Sequence, residues 1–383
     1  MKLRALTLLL AAVVVATSLS AQTAKIIRMT GEQAAQVTKA DGTTVPLTLN
    51  QELAENDLIE VMAGTRVFMR TFAGTITVIE ENSILLIEEV RQVGERERTL
   101  LDLKQGNVVA NLDPDKRSTN DYGVKTPRGV AAARGTNYTV TVDGMDVLVT
   151  VTNGTVELSF PELPTPIMIE PGNVSTGTAA QSLSSAMSDP ATAAKAAVAM
   201  RAAATAVASL INEPNSGVTS ATLNQLITVA ATASNETGDN GSLVAGVAAA
   251  ATAANPSVAE EVVQSAVSAV ANSGNASAVA TNVVASVTRA ATRATPGSSV
   301  ADTAASLSAA ANNASGGTVT VDSDTVTDAV NESVDAPEVP DDDAGSTPTA
   351  DEGNEGADDG PEIDETEVEI EVPNDNVIVS PST

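Results

Sequence analysis

The sequence predicts a mainly β N-terminal domain, a β-sandwich or short β-solenoid, followed by alanine-rich helical segments and a disordered acidic tail. Three observations carry that expectation. Across residues 25–171, short runs rich in β-branched residues recur between turns marked by glycine or asparagine. From residue 189 the apolar spacing lengthens from two to about 3.6, in segments dominated by Ala, Val, Ser and Thr. Beyond residue 317 carboxylates accumulate among prolines and glycines, and no Lys or Arg follows Arg293.

In chain order, residues 1–21 read as a secretory signal peptide. Lys2 and Arg4 give the charged start, Leu6 to Ala16 the apolar run, and Ser18, Ser20 and Ala21 the small residues where cleavage is expected. That run is shorter than the roughly 20 residues a comfortable membrane span needs, and no Cys follows it to take a lipid. The expected location is therefore the periplasm or the cell surface, or outside the cell.

Residues 25–171 should be one β domain. Leu58 to Val61, Thr65 to Phe72, Thr75 to Ile79, Ile84 to Val90, Leu100 to Leu103 and Asn107 to Leu112 read as strands. Turns are expected at Asp41-Gly42, Ala63-Gly64, Ala73-Gly74, Glu81-Asn82 and Gln105-Gly106. The stretch with the most information follows. Thr126 and Pro127 open a turn closed by Gly129, and Gly135-Thr136 make a second one, each glycine supplying positive φ or a close backbone approach. Tyr138, Val140 and Val142 then alternate with polar residues, turn at Asp143-Gly144, and return through Val147, Val149 and Val151 to Gly154 and Val156.

These turns and strands resemble the signature of the FecR-like domain, an all-β module of bacterial envelope proteins, and the resemblance runs roughly from Ile26 to Leu158. Its structural residues here are Thr126, Pro127, Gly129, Gly135, Thr136, Tyr138 and Gly154. Asn50 and Asn56 stand where the family often has glycine, a mild departure because Asn tolerates left-handed geometry better than most residues. The resemblance implies a role in relaying a signal from an outer-membrane transporter, through a membrane helix, to a cytoplasmic sigma-factor regulator. Neither a cytoplasmic segment before the signal peptide nor an internal spanning helix is expected from the sequence, so only the β module is expected to carry over.

Four prolines between Pro161 and Pro171 suggest an extended exit, and residues 172–188 read as a flexible linker. Residues 189–316 read as helical and repeat-like. Asp189-Pro190 is an N-cap followed by proline, opening a helix with Met200, Ala203, Ala204, Val207, Leu210 and Ile211 on one face. Further stripes carry Leu223, Leu226, Ile227 and Ala230, then Ala259, Val262, Val263, Ala266 and Val270, then Val279, Val283, Val287 and Ala290. Ser257 to Glu260 reads as a capping box, and breaks recur every 20 to 25 residues or so. Alanine buries little area, so a fluctuating low-complexity region is the competing expectation. Residues 317–383 complete the chain as the acidic tail.

Composition narrows the chemistry. With no Cys and no His, thiolate nucleophiles, imidazole bases, disulfides and the usual zinc, haem and copper ligands are all missing. A net charge of -29 opposes nucleic acid and anionic membranes. Glu80-Glu81 and Glu88-Glu89 are the nearest carboxylate candidates, yet strand neighbours point to opposite faces, so solvated edge charge is the reading favoured. Asp113, Asp115 and Asp121 lack the glycine and terminal Glu of a calcium loop. Arg128 and Arg134, beside the signature glycines, are candidates for an anionic ligand or for pairing with a neighbouring carboxylate.

The expected protein is an exported non-enzymatic one without catalytic residues, metal or cofactor. It would act as a structural or interaction module, with a sensory or ligand-binding module as the alternative. Its partners would be other envelope proteins or surface polymers, with weak calcium association at the tail and no nucleic acid.

Overall fold

The structure is a computed structural model that describes residues 23–177 and 179–335. The expected signal peptide and residues 336–383 of the expected tail lie outside the described residues. The chain opens with β1 (Ala24–Gly31), β2 (Ala35–Thr38), β3 (Thr44–Pro46), β4 (Glu52–Leu53) and β5 (Leu58–Val61). The hairpin of β6 (Thr65–Phe72) and β7 (Thr75–Ile79) follows, then the long strands β8 (Ser83–Val93) and β9 (Arg96–Leu112). Next come β10 (Asn120–Lys125), β11 (Val130–Ala133), the hairpin of β12 (Asn137–Asp143) and β13 (Asp146–Asn153), and β14 (Val156–Ser159). Three short strands close the series: β15 (Ile167–Ile169), β16 (Asn173–Ser175) and β17 (Ala180–Ser182).

Hydrogen bonding links the strands into one sheet that folds on itself as two layers, with β9 passing through both. Its first part pairs with β8 and β10, and its last part with β7 and β12. The outer layer runs β3, β2, β5, β8, β9, β10, β11, β14, β15; the inner layer runs β4, β1, β6, β7, β9, β12, β13, β16, β17. Gln105-Gly106, expected to be a turn between two strands, is instead where the single strand β9 changes layer. Gly106 has φ +91°, and a Cβ there would stand 2.3 Å from Ser83 Oγ. Ser83 Oγ in turn accepts from Asn107 N at 2.9 Å, which pins the crossing to the start of β8.

Helices cover the free side of the inner layer. They are α1 (Leu183–Ser188), α2 (Pro190–Leu210), α3 (Ser220–Thr237), α4 (Ser242–Ala254), α5 (Ala259–Val270), α6 (Ala276–Ala294), α7 (Val300–Ala314) and α8 (Ser323–Asp335). α2 lies across β9, β12 and β13, and α3 across β13. The central inner-layer strands β7, β12 and β13 are consequently buried on both faces. In β7, Ile79 joins the core between the layers while Ile76 and Val78 join the core under the helices. Beyond the sheet the helices stack in two rows, α2-α4-α6-α8 beside α1-α3-α5-α7. The alanine-rich region is thus a packed array, its close approach permitted by Ala203, Ala204 and Ala206, all fully buried.

Two boundaries differ from expectation. Residues 172–188 are not a linker. β16 pairs with β13, β17 pairs with β16, and α1 packs on α2 and α3. The polar texture of that stretch reflects an edge strand pair, where one face is solvated. Residues 317–335 are not tail either, because α8 buries Val326 and Val330 and is preceded by buried Val319 and Val321. A valine every few residues suffices to anchor one helix there despite four carboxylates in 322–332. The expected capping box at Ser257 is absent as well. Asn255 accepts from Ser257 N and caps a short 3-10 turn, Pro256–Val258, that leads into α5.

By length and composition α2 alone among the described helices could cross a membrane; 56% of its apolar window is buried in this fold.

Candidate functional site

The signature residues form one interlocked end of the β module. Thr126 Oγ1 accepts from Gly129 N at 3.2 Å and donates to Gly129 O at 3.0 Å, closing the turn between β10 and β11. Pro127 occupies the second position of that turn, where no ladder donor is needed. Gly129 is required by space and not by φ, since a Cβ would stand 2.2 Å from Ser159 O. Gly135 has φ +63°, and its Cβ would stand 2.8 Å from Pro114 Cα. Gly154, at φ +79°, lies against the same corner, where a Cβ would meet Thr136 Oγ1 at 2.7 Å. Thr136 Oγ1 donates to Thr155 O at 3.1 Å and ties the two turns together.

Tyr138, fully buried between the layers, meets Tyr122 edge to face with centroids 6.4 Å apart. Its hydroxyl donates to Ala131 O at 3.3 Å, and that of Tyr122 is shared with Thr77 Oγ1 at 2.7 Å. Burial pushes both phenols well above their ordinary pKa, Tyr122 against the opposing effect of the Thr77 hydrogen bond. Through these contacts the signature residues shape and hold one corner of the module's surface.

The surface they hold is the outer layer. Its exposed side carries ion pairs in rows, Lys39 with Asp57 at 2.7 Å, Lys104 and Lys125 on Asp102 at 2.6 and 3.1 Å, and Lys125 with Glu88. Burial of Asp102 would raise its pKa, but hydrogen bonds and charge from Lys104 and Lys125 outweigh it and hold the carboxyl below the ordinary range. Next to the signature corner lies an open groove of about 570 Å³ between β10, β11, β14 and the edge strand β15. Arg117, Arg134, Asp121 and Glu157 line it, with Ala132 as floor and Met168, 55% exposed, on its rim. Arg134 reaches Asp121 at 3.8 Å, the pairing expected from sequence, whereas Arg128 lies over the Phe160 ring at 5.7 Å.

Glu80, Glu88 and Glu89 are ion-paired and Glu81 holds a backbone N–H; Glu80 is buried, not the solvated edge charge expected. Arg66 Nε donates to both oxygens of Glu80 at 2.8 Å, Glu81 accepts from Gly64 N, and Glu89 pairs with Arg91 and Arg98. Burial nonetheless raises the pKa of Glu80, with Arg66 opposing. Asp113 accepts from Asp115 N as the cap of the 3-10 turn Pro114–Lys116, not as part of a cation loop. Among the described residues no three His, Cys, Asp or Glu converge as metal ligands.

Sequence reasoning missed the latch between the β module and the helices. Arg28 in β1 lies over the Phe68 ring at 4.1 Å and donates to Ser209 O at 2.8 Å, at the C-terminal end of α2. Arg70 in β6 pairs with Glu213 at 2.8 Å and donates to Pro214 O at 2.9 Å, just past the same helix. A cation at a helix C-terminus satisfies carbonyls that the helix leaves open. The available signal was a cation set among apolar residues, Arg28 between Ile27 and Met29 in β1 and Arg70 beside Met69 in β6.

Residues 57–157 match the family model described as FecR protein, about a quarter of the chain. The resemblance carried by the glycine turns holds over that stretch, and β1 to β4 lie upstream of it. No curated protein matches the chain. Two crystal structures of a candidate anti-sigma factor from Parabacteroides distasonis ATCC 8503 are similar to part of it. One is 17% identical with a TM-score of 0.27, the match covering 32% of this chain and 55% of that one. The other is 15% identical with a TM-score of 0.28, covering 35% and 64%. The chain thus spans less than two thirds of either structure.

Proposed function

We propose that this chain, with its FecR match at residues 57–157, is an exported, non-catalytic binding protein of the bacterial envelope, whose β module is the docking element. One observation carries the reading: helices cover the central strands of the inner layer, while the outer layer keeps an open face, a short edge strand and a groove of mixed charge. A surface held by interlocked turns is preorganised, so an incoming protein or polymer meets a formed site. The first 21 residues support export to the periplasm or the cell surface. A sensory module in FecR-type signalling is the second reading, favoured by the family match itself.

The test uses the full chain produced in its native envelope. Wild-type protein should be recovered without Met1 to Ser20, its mass placing the new start near Ala21 or Gln22, together with cross-linked partners. A Met168→Glu, Arg134→Glu variant should lose those partners while melting as the wild type does. Retention of Met1 to Ser20 sinks export, and undiminished capture by the variant removes the groove from its role. A partner that proves to be an outer-membrane transporter or a sigma-factor regulator would favour the sensory reading.

A further inference from the structure

Residues 91–134 hold nine of the chain's 20 Lys and Arg against six carboxylates, a local charge of +3 in a chain of -29. The strand register gathers arginines of that stretch into a row. Arg91 in β8 stands directly opposite Arg98 in β9, and Arg98 opposite Asp121 in β10. Directly opposite residues share a face, and the neighbours Val90, Thr99 and Tyr122 are buried on the other one, so the row lies on the open side of the outer layer. Arg134, just past β11, continues it beside Asp121, and Arg117 joins Arg134 in the groove at the signature corner.

Cations outnumber their partners in this row. Arg91 and Arg98, like charges set opposite each other, cost stability that Glu89 offsets by pairing with both, with Arg98 at 3.4 Å. Asp121 stays 4.0 Å from Arg98 and 3.8 Å from Arg134, outside hydrogen-bond distance of either. Arg96, which precedes Arg98 on the same face of β9, and Arg117 are exposed and have no ion-pair partner among the described residues. In a chain with 49 carboxylates, guanidinium groups left open in a row need an account.

We propose that this row selects the docking partner, which presents an extended peptide segment whose carboxylates cross β8 to β11. The proposal rests on the docking role of the outer layer and names the chemistry of what docks. Spacing is the first argument. Neighbouring strands lie about 4.8 Å apart, so the three steps from β8 to β11 cover about 14 Å, and an extended peptide covers about 13 Å in four residues. Acidic residues four apart on one side of the segment therefore meet Arg91 at one end and Arg134 at the other, with Arg98 between. Arginine suits this role because its planar fork binds a carboxylate through two parallel hydrogen bonds. The carboxylates already in place are the second argument. Glu89, Asp121 and, in the groove, Glu157 repel a uniformly charged polymer, whereas a peptide sets its charges at intervals and can lay an apolar side chain on Ala132 and Met168.

A random peptide library selected on the full-length protein tests this. Selected sequences should be rich in Asp and Glu spaced about four apart, and a fluorescently labelled one should bind less tightly as salt rises. Arg98→Gln with Arg134→Gln should weaken that peptide roughly tenfold or more. Arg98→Lys with Arg134→Lys should weaken it several-fold although charge is kept, because the fork is lost. Arg91→Gln should bind less peptide yet melt no lower than the wild type, since it relieves the pair with Arg98. Selected peptides without carboxylates, or binding indifferent to these arginines, overturn the proposal. So does a fall in melting for Arg91→Gln with peptide binding intact, which makes the row a structural ion-pair ladder. Polygalacturonate that binds through the same arginines more tightly than any selected peptide also overturns it, by making a polymer the occupant. Loss of native partners by the Met168→Glu, Arg134→Glu variant without acidic selection sinks this proposal alone, whereas undiminished native capture by that variant sinks the groove's docking role itself.

Discussion

Gly135 has φ +63° and Pro114 Cα 2.8 Å from the place a Cβ would take, so it combines a conformational need with a steric one. Gly135→Val should cost about 1 to 2 kcal/mol through the left-handed backbone alone, and more through the contact with Pro114. Thermal and urea unfolding measure it, and unchanged melting would mean that the Pro114 turn moves aside freely. Asn50 and Asn56, at φ +65° and +70°, show the same need met by another residue, as their positions in the sequence suggested. Glu80 offers a pH prediction. Burial raises its pKa above the ordinary 4.5, so the folded protein binds the proton at higher pH than the unfolded chain does. Its contribution to stability is then full below that value and declines as pH rises above it. Glu80→Gln should flatten that part of the stability curve in urea titrations from about pH 4.5 to 7; an unaltered slope would show that Arg66 fully offsets the burial. Asp102 works in the opposite sense, its stabilisation fading as pH falls through the acid range.

Among the elements, α2 is the one on which the core under the helices depends least visibly in sequence. Its start was legible, because Asp189 caps Ala191 N and proline follows. Its buried face matched the expected stripe at Met200, Ala203, Ala204, Val207 and Leu210, whereas Ile211 is the half-buried C-cap beyond the helix. What the helix packs against was not legible, since a stripe of alanines carries no address. Ala203 is fully buried and its neighbours approach closely, so Ala203→Leu should destabilise by roughly 1 to 3 kcal/mol through overpacking. A fluctuating helix would instead gain from the larger side chain, and unfolding midpoints distinguish the two. Arg28→Ala removes the ring contact with Phe68 and the bond to Ser209 O together. A loss of about 1 to 3 kcal/mol is expected, with amide exchange accelerating first at the C-terminal end of α2; uniform acceleration would show no local latch.

For the whole molecule the decisive fact is that residues 23–335 cohere as one compact unit. The two-face burial of the inner layer makes the β module dependent on its helices: Phe68, Ile76, Val78, Val109 and Leu148 would be bared without them. Limited proteolysis should therefore converge on a fragment ending near residue 335, not near Pro171. A chain truncated after Pro171 should be poorly soluble or should bind apolar dyes. A stable, dye-silent fragment of residues 25–171 would show that the helix layer is dispensable to the module.

The sequence by itself determined many of the strands, most of the turns it marked and the start of α2, because each rests on local rules: alternation, glycine or asparagine at positive φ, and a cap followed by proline. It also determined the signature corner, where Gly129, Gly135 and Gly154 stand at close approaches or left-handed positions that tolerate little else. Only the tertiary structure decided that β9 is one strand serving two layers, and that Thr139 and Thr150, polar positions of an ordinary alternation, are buried beneath helices. It alone decided too that residues 172–188 and 317–335 are packed. The physical reason is common to all of these: a residue's second face is set by contacts made with elements far away in the chain, and no local pattern encodes which surface will arrive to cover it.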